Sequence, residues 1–531
     1  AALPQSQPAC NFTPGVNLVD CGNWAESAQW AVPANAASGI YFAKLVRDSG
    51  QIGASHVFFI VRDDSSSSDV LYKTSDNTWE AYNNYGGYSF YQGGGGAEAG
   101  APKVSYNRPF VNRDIGNGNV WIFGAEYPMV RWLESNGYNV SYFTGVDTEL
   151  RPNLIQQHKL FTSSAHDEYW TSGQRANVEA AIAHGVNMAF FAGNTMYWKT
   201  RWEDNNRTLV CYKESAQKVD PSSVWTGLWR DPRFSPPYDG GRPENAVTGT
   251  LTAQRSDLTM NIPADDGKMR FWRNTSIAQL SPGQVASLPF AVLGHEWDEA
   301  IDTGGGGVFQ NQYGLTPTGA KFRPPGLVQL STTTAPTVGP LEVGADPPPQ
   351  PPPSGGVRAL ALGPPTHHMT LYRAPSGALV FNTATMQWAW GLDANHDGEA
   401  TPTDTRMRQA TVNILADLGA QPATLQPGLV AASASSDGTP PTSAINPVPA
   451  AHVNQPVTIS GTAADAGGGV VGAVEISTDG GQTWNPANGR EQWSYTWTPA
   501  ATGTVTIRTR ATDDSANTES PGPGVSVTVT P

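Results

Sequence analysis

Three apolar segments of this chain are each followed directly by a run of polar and aromatic side chains. The segments with their runs are 159–162 with 166–170, 186–191 with 194–198, and 288–294 with 295–299. Where strands lie parallel, their carboxyl ends meet at one edge of the sheet, and ligands bind outside that edge. We therefore expect the three runs to converge on one pocket. The alternative for each run is a solvated loop with a packed tryptophan.

The first run, HDEYW, leads straight into a predicted helix. Thr171 is a suitable N-cap, Gln174 completes a capping-box arrangement, and Gly185 ends the helix. Strands and helices alternate between residues 121 and 191, which favours a parallel sheet with right-handed crossovers. The predicted fold class is therefore α/β, with a flavodoxin- or glutamine-amidotransferase-like parallel sheet.

The length of 531 residues corresponds to roughly three domains. From about Gly438 onward, short alternating strands separated by Gly-Gly turns predict an all-β, immunoglobulin-like sandwich. The predicted domains are an N-terminal β-rich region over 1–110, an α/β catalytic-like domain over 111–430 with an insertion at 200–285 and a Pro-rich loop at 334–356, and the sandwich over 438–531.

Composition and cysteine spacing narrow the class of protein. The net charge of −14 argues against nucleic-acid binding, and no apolar run reaches the roughly 20 residues of a membrane span. Cys10 and Cys21 lie close together, and we expect them to form a disulfide while Cys211 stays free. A disulfide fits an oxidising compartment, so we expect a secreted protein, extracellular or on the cell surface.

A possible calcium loop follows the last predicted strand of the α/β domain. Gly398 takes the glycine position of a twelve-residue calcium loop, and a helix follows. The alternative is an acidic turn. The oxygen ligands predicted for this loop are Asp393, Asn395, Asp397 and Asp404.

Several common catalytic arrangements are missing from the sequence. No G-x-S-x-G motif stands at a strand end, no H-E-x-x-H motif is present, and no G-x-G-x-x-G motif opens a helix after a strand. The strand-end runs are instead rich in tyrosine and carboxylate oxygens with histidines beside them. A hard, oxidised metal such as iron suits these ligands and polarises a carbonyl or activates water.

Several motifs together resemble the large (beta) subunit of N,N-dimethylformamidase and its bacterial relatives. They are AYNNYGGYSFY, VSYNRPF, YPMVRWLESNGY, HDEYW, GNTMYW, GHEWDE and FNTATMQWAWGLD, spread over roughly residues 38–420. The resemblance implies an amidohydrolase with a mononuclear iron held by two tyrosines and one glutamate. Carried over by position, the ligands are Tyr169, Glu296 and Tyr127, with Tyr82 as the substitute for Tyr127.

The resulting function hypothesis is a secreted, iron-dependent amide hydrolase. The candidate catalytic residues that move protons or orient water or substrate are His166, Glu168 and His295, and the candidate pocket residues are Tyr82, Asn194, Tyr197 and Trp198. One alternative is a non-catalytic extracellular binding or surface protein. Another is a hydrolase of glycans or peptides with paired carboxylates such as Asp167 and Glu296. The expected partners are a small-molecule or polymer substrate and a second copy or partner subunit.

Overall fold

The computed structural model describes most of the chain. The described residues are 5–50, 53–93, 100–111, 120–213, 220–230, 242–300, 322–335, 342–343, 359–360 and 364–531. The Pro-rich loop predicted over 334–356 falls almost entirely outside these ranges.

The elements of the described residues are numbered in chain order. The strands up to residue 230 are β1 (Asn11–Thr13), β2 (Leu18–Asp20), β3 (Gly39–Val46), β4 (Ala54–Val61), β5 (Val70–Lys73), β6 (Lys103–Ser105), β7 (Val140–Phe143), β8 (Leu160–His166), β9 (Tyr169–Thr171), β10 (Asn187–Gly193), β11 (Trp198–Glu203), β12 (Thr208–Val210) and β13 (Gly227–Leu228). Those from 251 to 382 are β14 (Leu251–Arg255), β15 (Leu258–Pro263), β16 (Val285–Leu293), β17 (Glu296–Glu299), β18 (Val328–Gln329), β19 (Thr333–Thr334), β20 (Glu342–Val343), β21 (Ala359–Leu360), β22 (Thr366–His367), β23 (Thr370–Arg373) and β24 (Leu379–Asn382).

The remaining elements of the described residues are the C-terminal strands and the α-helices. The strands are β25 (Thr442–Ile445), β26 (Ala451–His452), β27 (Val457–Ala464), β28 (Val471–Ser477), β29 (Asn485–Pro486), β30 (Asn488–Gly489), β31 (Gln492–Trp497), β32 (Gly503–Asp513) and β33 (Val525–Thr530). The helices are α1 (Asp76–Tyr82), α2 (Ile122–Ala125), α3 (Tyr127–Ser135), α4 (Gly145–Leu150), α5 (Pro152–Ile155), α6 (Ser172–Ala183), α7 (Asn245–Thr248), α8 (Ala264–Gly267) and α9 (Thr405–Asp417).

The largest sheet has seven strands in the order β18-β23-β24-β10-β8-β5-β7. The pairs from β24 to β7 are parallel, whereas β23 pairs antiparallel with both β18 and β24. Its central strands are buried on both faces, as their apolar runs require. Phe190 packs on the face covered by α6, and Phe191 packs on the opposite face with side chains of α3 and α9.

The predicted α/β fold class, a flavodoxin- or glutamine-amidotransferase-like parallel sheet, is wrong for this chain. The protein is mostly β, with 34% of residues in strands and 18% in helices, and its large sheet is mixed. Much of the strand content lies in hairpins and small sheets outside it, such as β3–β4, β15–β16 and the five-stranded sheet containing β11 and β12. The alternation of strands and helices holds only within residues 121–191. The segments on either side form hairpins, which this pattern does not predict.

The N-terminal region contains the expected disulfide. Cys10 and Cys21 are bridged, with their sulfur atoms 1.99 Å apart, and Cys211 is a free, buried thiol. β5 falls inside the range predicted as the N-terminal β region, yet it belongs to the large sheet. Among the described helices, none has the length and hydrophobicity that a bilayer span requires.

The C-terminal strands form a two-sheet sandwich. One sheet has the order β25-β27-β31-β30 and the other β26-β33-β32-β28-β29, and Ile459, Ile476, Trp493 and Ile507 lie in the shared core. β27 alternates buried and accessible side chains, as a strand with one core-facing side must.

Polar contacts join the sandwich to the preceding domain. Arg490 Nη2 lies 2.8 Å from Asp266 Oδ1, and Arg323 Nη1 lies 2.7 Å from Glu475 Oε1. Because these side chains are largely buried, the sandwich packs directly against the preceding domain.

Candidate functional site

The first strand-end run delivers buried polar groups into the interior. β8 was expected to end near Thr162, but it continues to His166. Ala165 has φ of +67°, a conformation that costs a non-glycine residue free energy and that clusters at functional sites. The next strand, β9, begins at Tyr169 and leads into the capping box formed by Thr171 at the start of α6.

His166 connects two glutamates from distant parts of the chain. Its Nε2 lies 3.2 Å from Glu168 Oε2 and 2.9 Å from Glu296 Oε2. The side chains of His166 and Glu168 are 2% and 3% exposed, while that of Glu296 is 17% exposed. Glu296 is therefore the member of this cluster that solvent reaches most easily.

Three tyrosine hydroxyls form a hydrogen-bonded group, and two of them contact Glu168 directly. The Tyr169 hydroxyl donates to the Tyr91 hydroxyl, which donates to Glu168 Oε1 at 3.1 Å. The Tyr82 hydroxyl, at the end of α1, lies 3.0 Å from both the Tyr91 hydroxyl and Glu168 Oε2. Tyr91 was not among the predicted site residues, and its only sequence signal was its place in the aromatic segment that follows Tyr82.

Glu296 is held from its other side by the second strand-end run. Asn194 Nδ2 donates to Glu296 Oε2 at 2.6 Å, and Thr252 Oγ1 donates to Asn194 Oδ1 at 2.6 Å. The turn fits closely here, since a Cβ on Gly193 would lie 2.6 Å from the Glu296 carbonyl oxygen. The three runs predicted to converge therefore supply contacts to one cluster.

The close approach of these groups perturbs their pKa values. Burial lowers the pKa of His166, but Glu168 and Glu296 outweigh burial and the net shift is upward. Burial raises the pKa of Glu168. Burial would also raise the pKa of Glu296, but His166 and the Asn194 hydrogen bond dominate and lower it to about 2. The pair therefore contains one carboxyl that holds a proton readily and one that stays ionised.

The tyrosines and their aromatic neighbours make the wall of the site. Burial, together with the charge on Glu168, raises the pKa values of Tyr82, Tyr91 and Tyr169 well above the usual range. Trp198 packs in the same apolar cluster, and Lys213 Nζ lies 3.3 Å from the centre of the Tyr91 ring. Lys213 is a cation beside the tyrosines that the sequence analysis did not identify.

Tyr197 and His295 have supporting contacts at the periphery. Tyr197 is buried against Trp198, and the Arg230 guanidinium lies over its ring at 5.2 Å. Arg255 Nε donates to His295 Nε2 at 2.6 Å. Burial, and then the charge of Arg255, lowers the pKa of His295. His295 lies next to Glu296 in the chain, and its Nε2 is occupied by Arg255.

Two predicted participants lie elsewhere. Tyr127 packs against Phe123 in a separate aromatic cluster, and Arg131 lies over its ring. The structure therefore does not bring Tyr127 to the tyrosines of the site. Asp167 is buried in an ion pair with Lys73 Nζ at 2.5 Å, so it does not act as a carboxylate paired with Glu296.

The side chains predicted as calcium ligands do not converge on one position. Asp404 N-caps α9 and binds the guanidinium of Arg406, while Asp393 lies 3.2 Å from Arg131. Asp393 Oδ1 also accepts from both nitrogens of Asn395, and the Asp397 backbone N–H donates to Phe123. Calcium binding by this loop stays an untested prediction.

The site residues fit the metal that the family resemblance implies. One ligand atom from each of His166, Glu168 and Glu296 lies within 4.8 Å of the other two, and tyrosine hydroxyls adjoin them. His166 Nδ1 is buried and has no hydrogen-bond partner in the part of the chain that the structure describes. Oxygen ligands with an imidazole form a donor set suited to a hard metal ion such as iron.

Comparison with known proteins places most of the chain in one family. Residues 1–400 match the family described as N,N-dimethylformamidase beta subunit-like, C-terminal, and residues 440–509 match the family described as bacterial Ig domain. The N,N-dimethylformamidase beta subunit of Paracoccus aminophilus is 23% identical over 356 residues, covering 64% of this chain and 43% of that protein. The corresponding subunit of Alcaligenes sp is 28% identical over 104 residues, covering 19% of this chain and 14% of that protein.

The chain thus spans less than half the length of either relative. Among solved structures, the PKD domain of an M14-like peptidase from a Thermoplasmatales archaeon is 18% identical and covers 18% of this chain and 100% of that chain, with a TM-score of 0.15. The Clostridium thermocellum CbhA fibronectin(III)-like modules are 20% identical and cover 17% of this chain and 96% of that chain, with a TM-score of 0.14. The match over residues 1–400 confirms the resemblance seen in the motifs: the chain belongs to the N,N-dimethylformamidase beta subunit-like, C-terminal family.

Proposed function

We propose that this protein is an exported amide hydrolase whose site is the cluster of His166, Glu168, Glu296 and the adjoining tyrosines. The observation that carries the proposal is the convergence of His166, Glu168 and Glu296, whose side chains can ligate a metal or transfer protons and whose ligand atoms lie within 4.8 Å of one another, in a chain of this family. The names of the relatives suggest an N-substituted carboxamide as the substrate class. Export is supported by the disulfide of Cys10 and Cys21.

An iron ion is the proposed cofactor. Tyr169 and Glu296 are its proposed ligands, and Tyr82 or Tyr91 replaces Tyr127 as the second tyrosine because both contact Glu168 within the cluster. When bound, such an ion would supply a Lewis acid for an amide carbonyl and would favour ionised tyrosines.

The chain's own residues divide the proton transfers of the proposed reaction. Water adds to the amide carbon and gives its proton to Glu168, whose raised pKa makes this carboxylate a suitable base. The carbon–nitrogen bond then breaks, and the leaving amine takes a proton from His166, which lies 3.2 Å from Glu168. The products are a carboxylic acid and an amine, and His166 regains its proton from Glu168.

The groups around Glu296 are proposed to orient the substrate. Glu296 has the most accessible side chain of the three, so the substrate would enter from its side. Asn194 fixes the Glu296 carboxylate through a 2.6 Å hydrogen bond. Trp198 and the tyrosine rings exclude water from the inner side of the cluster.

Metal analysis and visible absorption test the proposal directly. Protein purified without added metal should contain iron and show a visible band from tyrosinate bound to ferric iron. Tyr169→Phe should lose the band and the metal while the chain stays folded, because the substitution removes only one hydroxyl. Tyr138→Phe is the matched control, since the buried Tyr138 hydroxyl has no hydrogen-bond partner among the described residues; this variant should keep both the band and the metal.

Two results would contradict the assignment. One is wild-type protein that binds no iron even after anaerobic loading with ferrous salt and reoxidation. The other is Tyr169→Phe protein with the metal content and absorption of the wild type. Hydrolysis of simple formamides and acetamides, followed by amine release, then tests the activity separately.

A further inference from the structure

A second group of carboxylates converges at the edge of the C-terminal sandwich. One side-chain oxygen from each of Asp437, Asp465 and Asp513 lies within 4.8 Å of the other two. A Cβ on Gly469 would lie 2.6 Å from Asp514 Oδ1 and 3.1 Å from the Oδ2 atoms of both Asp437 and Asp465. Four acidic side chains from three separate segments therefore surround one small region.

No described basic side chain makes a salt bridge to these four carboxylates. Arg270 comes near through its backbone N–H, which donates to Asp514 Oδ2 at 2.7 Å, but its guanidinium binds Asp417 at 2.7 Å. Backbone N–H groups satisfy several of the carboxylate oxygens, including Asp465 Oδ2 from Gly469 at 2.8 Å. The charge of Arg270 attracts Asp514 and Asp437, but the repulsion of Asp513 by Asp437 and of Asp514 by Asp465 remains.

One carboxylate oxygen in the cluster is buried and unpartnered. Asp437 Oδ1 accepts from the Thr439 backbone N–H at 2.9 Å, whereas Asp437 Oδ2 is buried and has no hydrogen-bond partner in the described residues. This oxygen is the one that faces Asp465 and Asp514 across Gly469. A buried carboxylate oxygen without a hydrogen-bond partner is unfavourable, so its position is consistent with a cation between the carboxylates.

The donor set selects the kind of cation. All four side chains offer carboxylate oxygens, with no sulfur or imidazole among them, which favours a hard ion over zinc or copper. Calcium accepts about 6–8 oxygens in irregular geometry, whereas magnesium requires a near-ideal octahedron and keeps several waters. A site built from three separate segments with several carboxylate oxygens matches the irregular coordination of calcium better than the octahedron of magnesium.

The location gives the ion a structural role. Asp437 precedes the first strand of the sandwich, and Asp513 and Asp514 stand at the end of β32. Asp514 also binds the Arg270 backbone of the preceding domain, and Ser435 Oγ lies 2.7 Å from Ser515 Oγ. An ion bound here would stabilise the contact between the two domains as well as the sandwich itself.

We infer that Asp437, Asp465, Asp513 and Asp514 form a calcium site that joins the immunoglobulin-like sandwich to the preceding domain. The inference does not rest on the proposed activity, because the site lies in a different part of the chain. It is also distinct from the loop at Asp393, whose carboxylates have protein partners.

Calcium titration of the full chain tests this site. After chelator treatment and desalting, calorimetry with calcium chloride should detect binding, and calcium at about a hundred times Kd should raise the Tm of the full chain by about 2 °C or more. The double variant Asp437→Asn/Asp465→Asn should lose both responses. Glu491→Gln removes one carboxylate from the same domain outside the cluster and should keep them, as should Asp393→Asn.

Stability in chelator separates loss of binding from misfolding. Without calcium, the double variant should melt no lower than the wild type, because two mutually repelling charges have been removed. The inference is overturned if wild-type protein shows no calcium binding at millimolar concentrations, if the double variant still binds, or if it melts well below the wild type in chelator. An equal Tm shift with magnesium at the same concentration would overturn the choice of calcium.

Discussion

The ion pair between Lys73 and Asp167 offers the sharpest test of how the site is positioned. Lys73 ends β5, and Asp167 stands between His166 and Glu168. Both side chains are fully buried, with Nζ 2.5 Å from Oδ1, and Lys73 Nζ also lies 4.4 Å from the centre of the Trp170 ring. We therefore expect Lys73→Met to disturb the run that carries the site.

The expected magnitude follows from burial. Removing one partner of a buried pair leaves the other charge without compensation, which costs about 3–5 kcal/mol. Lys73→Met should lower the free energy of unfolding by that amount. Adding Asp167→Asn removes the stranded charge, so the double variant should recover part of the loss, with a coupling energy of about 2–3 kcal/mol.

Urea unfolding followed by tryptophan fluorescence measures both quantities. Lys268→Met is the matched control, because Lys268 pairs with Asp265 at 2.8 Å on the surface, where the side chains are 39% and 72% exposed. Such surface pairs contribute at most about 1 kcal/mol. A Lys73→Met variant no less stable than the Lys268→Met control, or a double variant less stable than Lys73→Met, would refute the reasoning.

Two further predictions concern the surroundings of the site. Burial raises the pKa of Glu126 to about 8. Because the folded pKa exceeds the unfolded value, stability should fall as pH rises from about 4.5 to 8, by up to about 1.4 kcal/mol per pH unit from this group. Glu126→Gln should flatten this slope in urea unfolding measured at pH 5, 6, 7 and 8, and an unchanged slope would contradict the assignment. Deleting residues 438–531 should lower Tm through loss of the Arg323–Glu475 and Arg490–Asp266 contacts but keep iron and its absorption band; loss of metal from soluble truncated protein would assign the sandwich a direct role.

Local rules were sufficient where the determinants lie close together in sequence. The capping box of Thr171 and Gln174 and the bridge between Cys10 and Cys21 each involve residues separated by a short stretch of chain, and both are confirmed. The family motifs were likewise readable from the sequence. The same local reasoning failed for the fold class, because the alternation of strands and helices in one part of the chain carried no information about the hairpins around it.

The composition of the site depended on contacts between distant segments. Strand-end patterns named Glu168, Tyr169, Glu296 and Asn194, but the choice between Tyr127 and Tyr82 could not be made from motif order. Tyr127 is the first residue of the family motif YPMVRWLESNGY, yet its side chain packs with Phe123 in a separate aromatic cluster.

The sequence by itself determined that the three apolar segments before the polar runs would contain strands, that Thr171 would cap the following helix, and that polar groups would appear where those strands end. Only the tertiary structure decided that Tyr91 would bind Tyr169, that Asp167 would be neutralised by Lys73, and that His166 would join Glu168 to Glu296. The physical reason is the sequence separation over which each kind of interaction acts. Hydrogen-bonding and capping preferences act over a few residues, whereas these contacts join groups up to about 130 positions apart and exist only after the strands have paired.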